Sequence, residues 1–341
     1  MRNIDKFRGC LIGGAAGDAL GYAVEFKRED EIFSEYGKDG ITEYDLILDD
    51  DVAEISDDTQ MTLFTAEGML LAGNSTDNTG YISSIREMYH CWYQTQSEKS
   101  PAQGTKHCSQ LMRVPELYHR RCPGTTCMTE IKAGANGTVE VPINDSKGCG
   151  GVMRVAPIGL YFTDTDISYE YSDMLAAEAA ALTHGHDLGF IPAAALVHIV
   201  RTVTESDVPL KTAINDSITA MEKLFPTAQL IADFSAIMRK AVQLAETEKD
   251  TLTAIHLLGE GWVAEETLAI AVYCALRYEN DFDMALRTAV NHNGDSDSTG
   301  AVCGNILGAY IGYNAIPQKY KERLELHDLI IKVADNLCDI L

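Results

Sequence analysis

The chain has 341 residues, 46% hydrophobic and 23% charged, a composition usual for a soluble globular protein long enough to bury a substantial core. Acidic residues outnumber basic ones 51 to 27, and a net charge of -24 repels phosphate backbones, which argues against a nucleic-acid partner. No run of about 18 apolar residues is present to span a bilayer, and the start MRNIDKFRGCLIGGAAGDALG lacks a clean cleavage signal, so it is read as a helix and the protein as cytoplasmic.

Apolar residues three and four apart predict helices over 4–21, 59–72, 81–94, 168–183, 191–204, 210–224, 228–246, 265–278, 282–290 and 299–312. Period-two alternation is nearly absent, and the main strand-like piece, 138–143, is short and lies between Gly-rich loops. A mostly α fold follows. No Pro/Ser-rich linker or charge block divides the chain, so residues 1–341 are read as one compact domain. Nothing in the composition fixes an oligomeric state.

The first predicted helix carries Gly13, Gly14, Ala15, Ala16 and Gly17, and the last carries Gly300, Ala301, Gly304, Gly308 and Gly312. Glycine costs a helix about 1 kcal/mol relative to alanine, so its repeated use points to two backbones in close approach at the centre of a bundle. GGAAGDALG is not a dinucleotide loop, because it lacks a preceding strand and the G-x-G-x-x-G spacing. The nine cysteines, an odd number among apolar neighbours such as those of Cys10, Cys274 and Cys303, read as reduced core residues. Cys108, Cys122, Cys127 and Cys149 fall close in sequence, but no C-x-x-C pair supports a structural zinc.

Two acidic clusters remain. NHNGDSDSTG (291–300) and ISDDTQMTLF (55–64) each put a hydroxyl and two carboxylates at the mouth of an apolar helix. Capping and the helix dipole account for one acid at either place. An EF-hand beginning at Asp295 would need Glu at its twelfth position, which is Ile306. The D-x-D-x-T nucleophile of aspartyl phosphatases follows a buried strand, and residues 289–294 are too polar for one. If the two helix starts converge, Asp57, Asp58, Asp295 and Asp297 raise one another's pKa unless cations neutralise them, and their hard oxygens suit Mg²⁺ or Mn²⁺. In GDALGYAVEF, Asp18 reads as a structural hydrogen-bonding residue, whereas Glu25 sits in a loop able to face the same site or solvent.

GDALG with its downstream Glu, SDDT, GCGGVMRVAP, THGH and NGDSDST, in this order and over nearly the whole chain, resemble the ADP-ribosylglycohydrolase family of the dinitrogenase reductase activating glycohydrolase type. The resemblance implies an all-α, compact orthogonal helical bundle that holds two divalent cations, Mg²⁺ or Mn²⁺. It implies hydrolysis of the bond from C1'' of ADP-ribose to a protein side chain or small acceptor, so the expected partner is an ADP-ribosylated protein or a small ADP-ribose conjugate. Carried over by motif, it makes Ser56, Asp57 and Asp58 one half of the metal site and Asp295, Asp297 and Ser298 the other. Ser56 stands where the family often has Thr. Glu25, Asp58, Asp297 and Asp145 become the candidate catalytic carboxylates, with Glu25 or Asp145 as general acid or base. Lys147, Gly148, Cys149, Gly150 and Gly151 become a diphosphate cradle, His184 a contact to the distal ribose or acceptor, and His292 and Asn293 supports of the second cluster. Arg154 is read as tying the Gly-rich loop down. The alternatives are a hydrolase of another ribosyl or phosphate compound on the same fold, or a catalytically silent binding relative.

Overall fold

The computed structural model describes residues 2–46, 51–73, 75, 77–100, 109–247 and 250–340. Among them the chain forms α1 (Ile4–Tyr22), α2 (Glu29–Tyr36), α3 (Asp57–Ala72), α4 (Asn78–Thr95), α5 (Thr125–Lys132), α6 (Ala156–Tyr161), α7 (Tyr169–Ala181), α8 (Asp187–Glu205), α9 (Leu210–Leu224), α10 (Ile231–Thr247), α11 (Thr251–Leu258), α12 (Ala264–Arg277), α13 (Phe282–Val290), α14 (Ser296–Ile311) and α15 (His327–Cys338), with a few single 3₁₀ turns between them. No strand occurs among the described residues, only the isolated bridges Ala53 to Leu324 and Gly148 to Val263. The all-α expectation holds.

At the centre lies the pairing of α1 with α14. A Cβ built on Gly9, Gly13, Gly17 or Gly21 would fall 2.2, 2.3, 2.0 and 2.2 Å from the carbonyl oxygens of Gly308, Gly304, Gly300 and Ser296. The partners descend as the glycines ascend, so the helices are antiparallel and touch backbone to backbone, as the small-residue pattern required. The C-terminal end of α1 therefore lies beside the N-terminal end of α14. Around this pair runs a continuous apolar core reaching from Phe7 to Leu337.

Each predicted helix is present, with shifted ends where capping decides them. Helix α3 begins at Asp57 because Ser56 is its N-cap, accepting from the Asp58 N–H at 3.1 Å. Helix α14 begins at Ser296, where Asp295 caps by accepting from the Ser298 N–H at 3.3 Å. Helix α8 is long and apolar enough by composition to cross a membrane, but 89% of that window is buried in the protein, which makes it a core helix. The strand-like piece 138–143 is instead a tight turn: the Thr138 N–H donates to the Val141 carbonyl at 3.2 Å, and Thr138 Oγ1 accepts from the Val141 N–H at 2.9 Å. With Val141 exposed, its alternation has no sheet to serve. None of the described cysteines is in a disulfide and most are buried; Cys108 lies outside the described residues.

Candidate functional site

The end of α1 meets the start of α14 through its glycines and the start of α3 through Asp18. This wholly buried carboxylate accepts from the Ser56 N–H at 3.0 and 3.1 Å, from the Thr59 N–H at 3.1 Å, and from the Thr59 hydroxyl. It thus satisfies first-turn donors that have no partner inside α3. Burial, opposed by these hydrogen bonds, pushes Asp18 up to about 6. The role read from sequence, a structural hydrogen-bonding acid, is the one it plays.

Seated there is a cavity of about 420 Å³ lined by Glu25, Asp57, Asp58, Asp295, Asp297, Ser298, Met153, Gly148, Cys149, Gly150 and His184, with Phe26 and Trp262 also on its wall. Both acidic clusters and the downstream Glu are brought together. Capping accounts for Ser56 and Asp295 and leaves Asp57 and Asp58 without a capping task, while Asp297 Oδ1 doubles the acceptor for the Ser298 N–H at 2.9 Å. All of these carboxylates are buried. Burial first, then Asp18 and the neighbouring acids, raises Asp57 and Asp58 well above the usual carboxylate range; burial, Asp58 and Asp295 do the same to Asp297. Burial together with Asp295 and Asp57 pushes Glu25 up to about 9. Asp58 Oδ2 and Glu25 Oε2 are buried with no hydrogen-bond partner, and neither Lys nor Arg lines the cavity among the described residues.

Such a set of hard, crowded, unneutralised oxygens fits divalent cations chemically. It is not a closed ligand set: among the described residues no group of three or more His, Cys, Asp or Glu side chains stands in an arrangement that could hold a metal ion.

His184 follows α7 and is buried, so its C-terminal position does not expose it as a surface cap. Burial and the nearby Arg154 push it down to about 3, keeping the ring neutral. The Arg154 guanidinium donates to Thr183 Oγ1 at 2.7 Å, and Thr183 Oγ1 lies 2.8 Å from His184 Nδ1. Nδ1 is thereby engaged by Thr183, and Nε2 is left for the cavity. A Cβ on Gly150 would fall 2.6 Å from Cys127 Sγ and 3.0 Å from His184 Cε1, and one on Gly148 3.3 Å from His184 Nε2, so the loop passes this ring closely and Gly150 has no room for a side chain. Arg154, wholly buried and also bonded to the Ala179 carbonyl at 3.1 Å, ties the region down as its sequence reading held. Burial with Asp295 and Asp58 raises Cys149, which keeps it a thiol and not a nucleophile.

Several expected residues stand elsewhere. Ser56 is buried behind the wall, its hydroxyl occupied as the α3 cap. Asp145 is displaced from the cavity: its side chain is 96% exposed and lies 3.9 Å from His186, because the 138–145 segment turns outward to the surface. Lys147 faces away from the lining and pairs with Glu265, and Gly151 packs against Gly189 and Ala180. His292 sets its ring nitrogens 2.7 Å from the Asn293 carbonyl and 2.8 Å from that of Ala289, and Asn293 Oδ1 accepts from the Glu29 N–H at 2.9 Å, so both brace the loop before α14.

Phe26 and Trp262 were not legible as site residues. The one available signal was a bulky aromatic in each of two polar turns, VEFKR and GEGWVAE.

The sequence profile of the ADP-ribosylglycohydrolase family matches residues 1–341. The chain is 24% identical to ADP-ribosylhydrolase ARH3 of Bos taurus, over 98% of this chain and 93% of that protein. It is 26% identical to ADP-ribosylarginine hydrolase Tri1 of Serratia proteamaculans, over 98% and 79% respectively. A solved structure described as an ADP-ribosylglycohydrolase-related protein complex superposes with a TM-score of 0.68 at 23% identity, covering 99% of this chain and 98% of that one, which supports the fold.

Proposed function

The chain belongs to the ADP-ribosylglycohydrolase family, and from that premise we propose that it hydrolyses the glycosidic bond between ADP-ribose and a protein side chain or small acceptor, with two divalent cations at the carboxylate cavity. The observation that carries this reading is the convergence of Glu25, Asp57, Asp58, Asp295 and Asp297 on one cavity whose described lining has no cationic side chain. A scaffold gains nothing from such repulsion. Asp57, Asp58, Asp295, Asp297 and the Ser298 hydroxyl would hold the cations after rotating toward a shared charge, and Ser56 would contribute only through the oxygen that already caps α3. Bound there, the cations would supply an activated water and grip the ribose hydroxyls.

The chain's own groups divide the remaining work. Glu25, whose Oε2 is buried at the cavity with no hydrogen-bond partner, is the carboxyl free to exchange a proton with the attacking water or the departing atom. Neutral His184 offers a substrate a hydrogen bond through Nε2 without adding charge. The Gly148–Gly150 backbone forms a wall close enough for a diphosphate to lie against it, with no Cβ in the way.

Conjugates of ADP-ribose to arginine, to serine and to a nucleotide, each incubated with Mg²⁺, Mn²⁺ or EDTA, test the proposal. Release of ADP-ribose from at least one conjugate, with metal and not with EDTA, is expected. No release from any would end this reading.

A further inference from the structure

Arg121 is buried between two glutamates that come from distant parts of the chain. Its guanidinium pairs with Glu54, and Nη2 donates to Glu325 Oε1 at 3.0 Å. Glu325 Oε2 accepts from the Ile55 N–H at 3.0 Å. Beside it, the Ala53 N–H donates to the Arg323 carbonyl at 2.7 Å, and the Ala53 carbonyl accepts from the Glu325 N–H at 3.0 Å. One ion triad thus knits three stretches of chain together immediately before α3. Taking three charges out of water is costly, and well-packed apolar residues of similar volume often serve stability as well or better. The fold alone therefore gives little reason for the triad.

What the triad holds is the backbone beside Asp57. The Arg121 carbonyl accepts from the Asp57 N–H at 3.2 Å. At Cys122 the chain enters the left-handed region, with φ +52°, and turns back so that Gly124 meets the same residue. Burial and Asp18 raise Asp57, and the first group to oppose them is the Gly124 N–H at its carboxylate. Residues 122–127 then run on as one wall of the carboxylate cavity.

We propose that Arg121 is a positioning residue: gripped by Glu54 and Glu325, it fixes the 121–124 turn that aims the Asp57 carboxylate into the cavity. This rests on the cation reading of the cavity and adds what orients one of its acids before a cation arrives. Groups that hold a metal ligand from behind govern affinity nearly as strongly as the ligand itself. The guanidinium suits the task because its planar fork spans two carboxylates at once, which the single ammonium of lysine does less well.

Mn²⁺ titration by calorimetry, with amide exchange of the cation-free protein, decides it. Arg121→Met should raise the Kd for Mn²⁺ about tenfold, and Arg121→Lys should recover part of that loss. Because Arg121→Met strands the Glu325 carboxylate, a second variant removes the charges as a set: Glu54→Gln, Arg121→Met and Glu325→Gln together. It should melt near the wild type and still bind Mn²⁺ about tenfold more weakly. Arg201→Met breaks another buried pair, that of Arg201 with Glu205 on α8, and should leave the Kd within about twofold. In exchange, the Asp57 amide should open faster in the Arg121 variants and not in Arg201→Met. An unchanged Kd in the combined variant, or an equal loss in Arg201→Met, would overturn the proposal with the cation reading intact. If the wild type takes no Mn²⁺, the cation reading has failed and exchange decides alone: an Asp57 amide as slow in the Arg121 variants as in the wild type would overturn the proposal.

Discussion

Asp18 on α1 and Thr59 on α3 are joined twice, by the Thr59 N–H at 3.1 Å and by the Thr59 hydroxyl, and this pairing orients the start of α3 over the end of α1. Asp18→Ala should destabilise the protein by about 3 kcal/mol, because it strands buried donors of Ser56 and Thr59 that cost about 1–3 kcal/mol each when unpaired. Asp18→Asn, which keeps one acceptor oxygen, should lose about half as much. Urea unfolding of the two variants checks the order.

A Cβ on Gly304 would lie 1.9 Å from the Gly13 carbonyl oxygen and 2.4 Å from its carbon, both backbone atoms that cannot swing aside. Gly304→Ala should cost about 3 kcal/mol despite alanine's better helix propensity, since overpacking forces the two helices apart. It should also weaken metal binding, because the same pairing sets Glu25 beside Asp295 and Asp297. Chemical denaturation and metal titration of one preparation test both effects; an unchanged midpoint would contradict the contact.

The buried carboxyls give the cation-free protein an inverted pH response. Asp18 is raised from 3.8 to about 6 and Glu25 from 4.5 to about 9, and Asp57, Asp58 and Asp297 also shift upward. The folded state then binds more protons than the unfolded one, so stability falls as pH rises through the window from about 4 to 9. In EDTA, the melting temperature should decline across that range, and saturating Mg²⁺ or Mn²⁺ should flatten the decline. A melting temperature that rises with pH in EDTA would contradict the site's electrostatics.

Asp297→Asn removes one of the crowded charges while keeping an oxygen for the Ser298 N–H that Asp297 Oδ1 accepts at 2.9 Å. The metal-free variant should melt at or above the wild-type temperature, and conjugate hydrolysis should fall by more than about 100-fold, since a metal ligand is lost. Normal turnover in saturating Mg²⁺ would remove Asp297 from the ligand set.

Much of this was legible where the sequence carries a period or a repeated cluster. The glycines of α1 and α14 announced their own contact, and two hydroxyl-plus-acid helix starts announced a shared site, because a cap uses only one acceptor. Short or loop-bound features were not. Helices α2, α5, α6 and α11 are six to eight residues long, too short for a 3.6-residue period to stand out, and α15 went unread although it is longer. Asp145 followed a loop whose outward course depends on the turn at Thr138, which no periodicity reveals. Phe26 and Trp262 lie far apart in sequence and become neighbours only through the loops that the acids anchor.

The central claim is that the carboxylate cavity binds divalent cations and, through them, ADP-ribose. Thermal unfolding with EDTA, Mg²⁺ or Mn²⁺, each with and without ADP-ribose, tests it most directly. Metal alone should raise the melting temperature, by mass action worth about 2.7 kcal/mol at 100 times its dissociation constant. ADP-ribose should add a further rise only when metal is present. A rise with ADP-ribose of the same size in EDTA, or no rise with either metal, would contradict it.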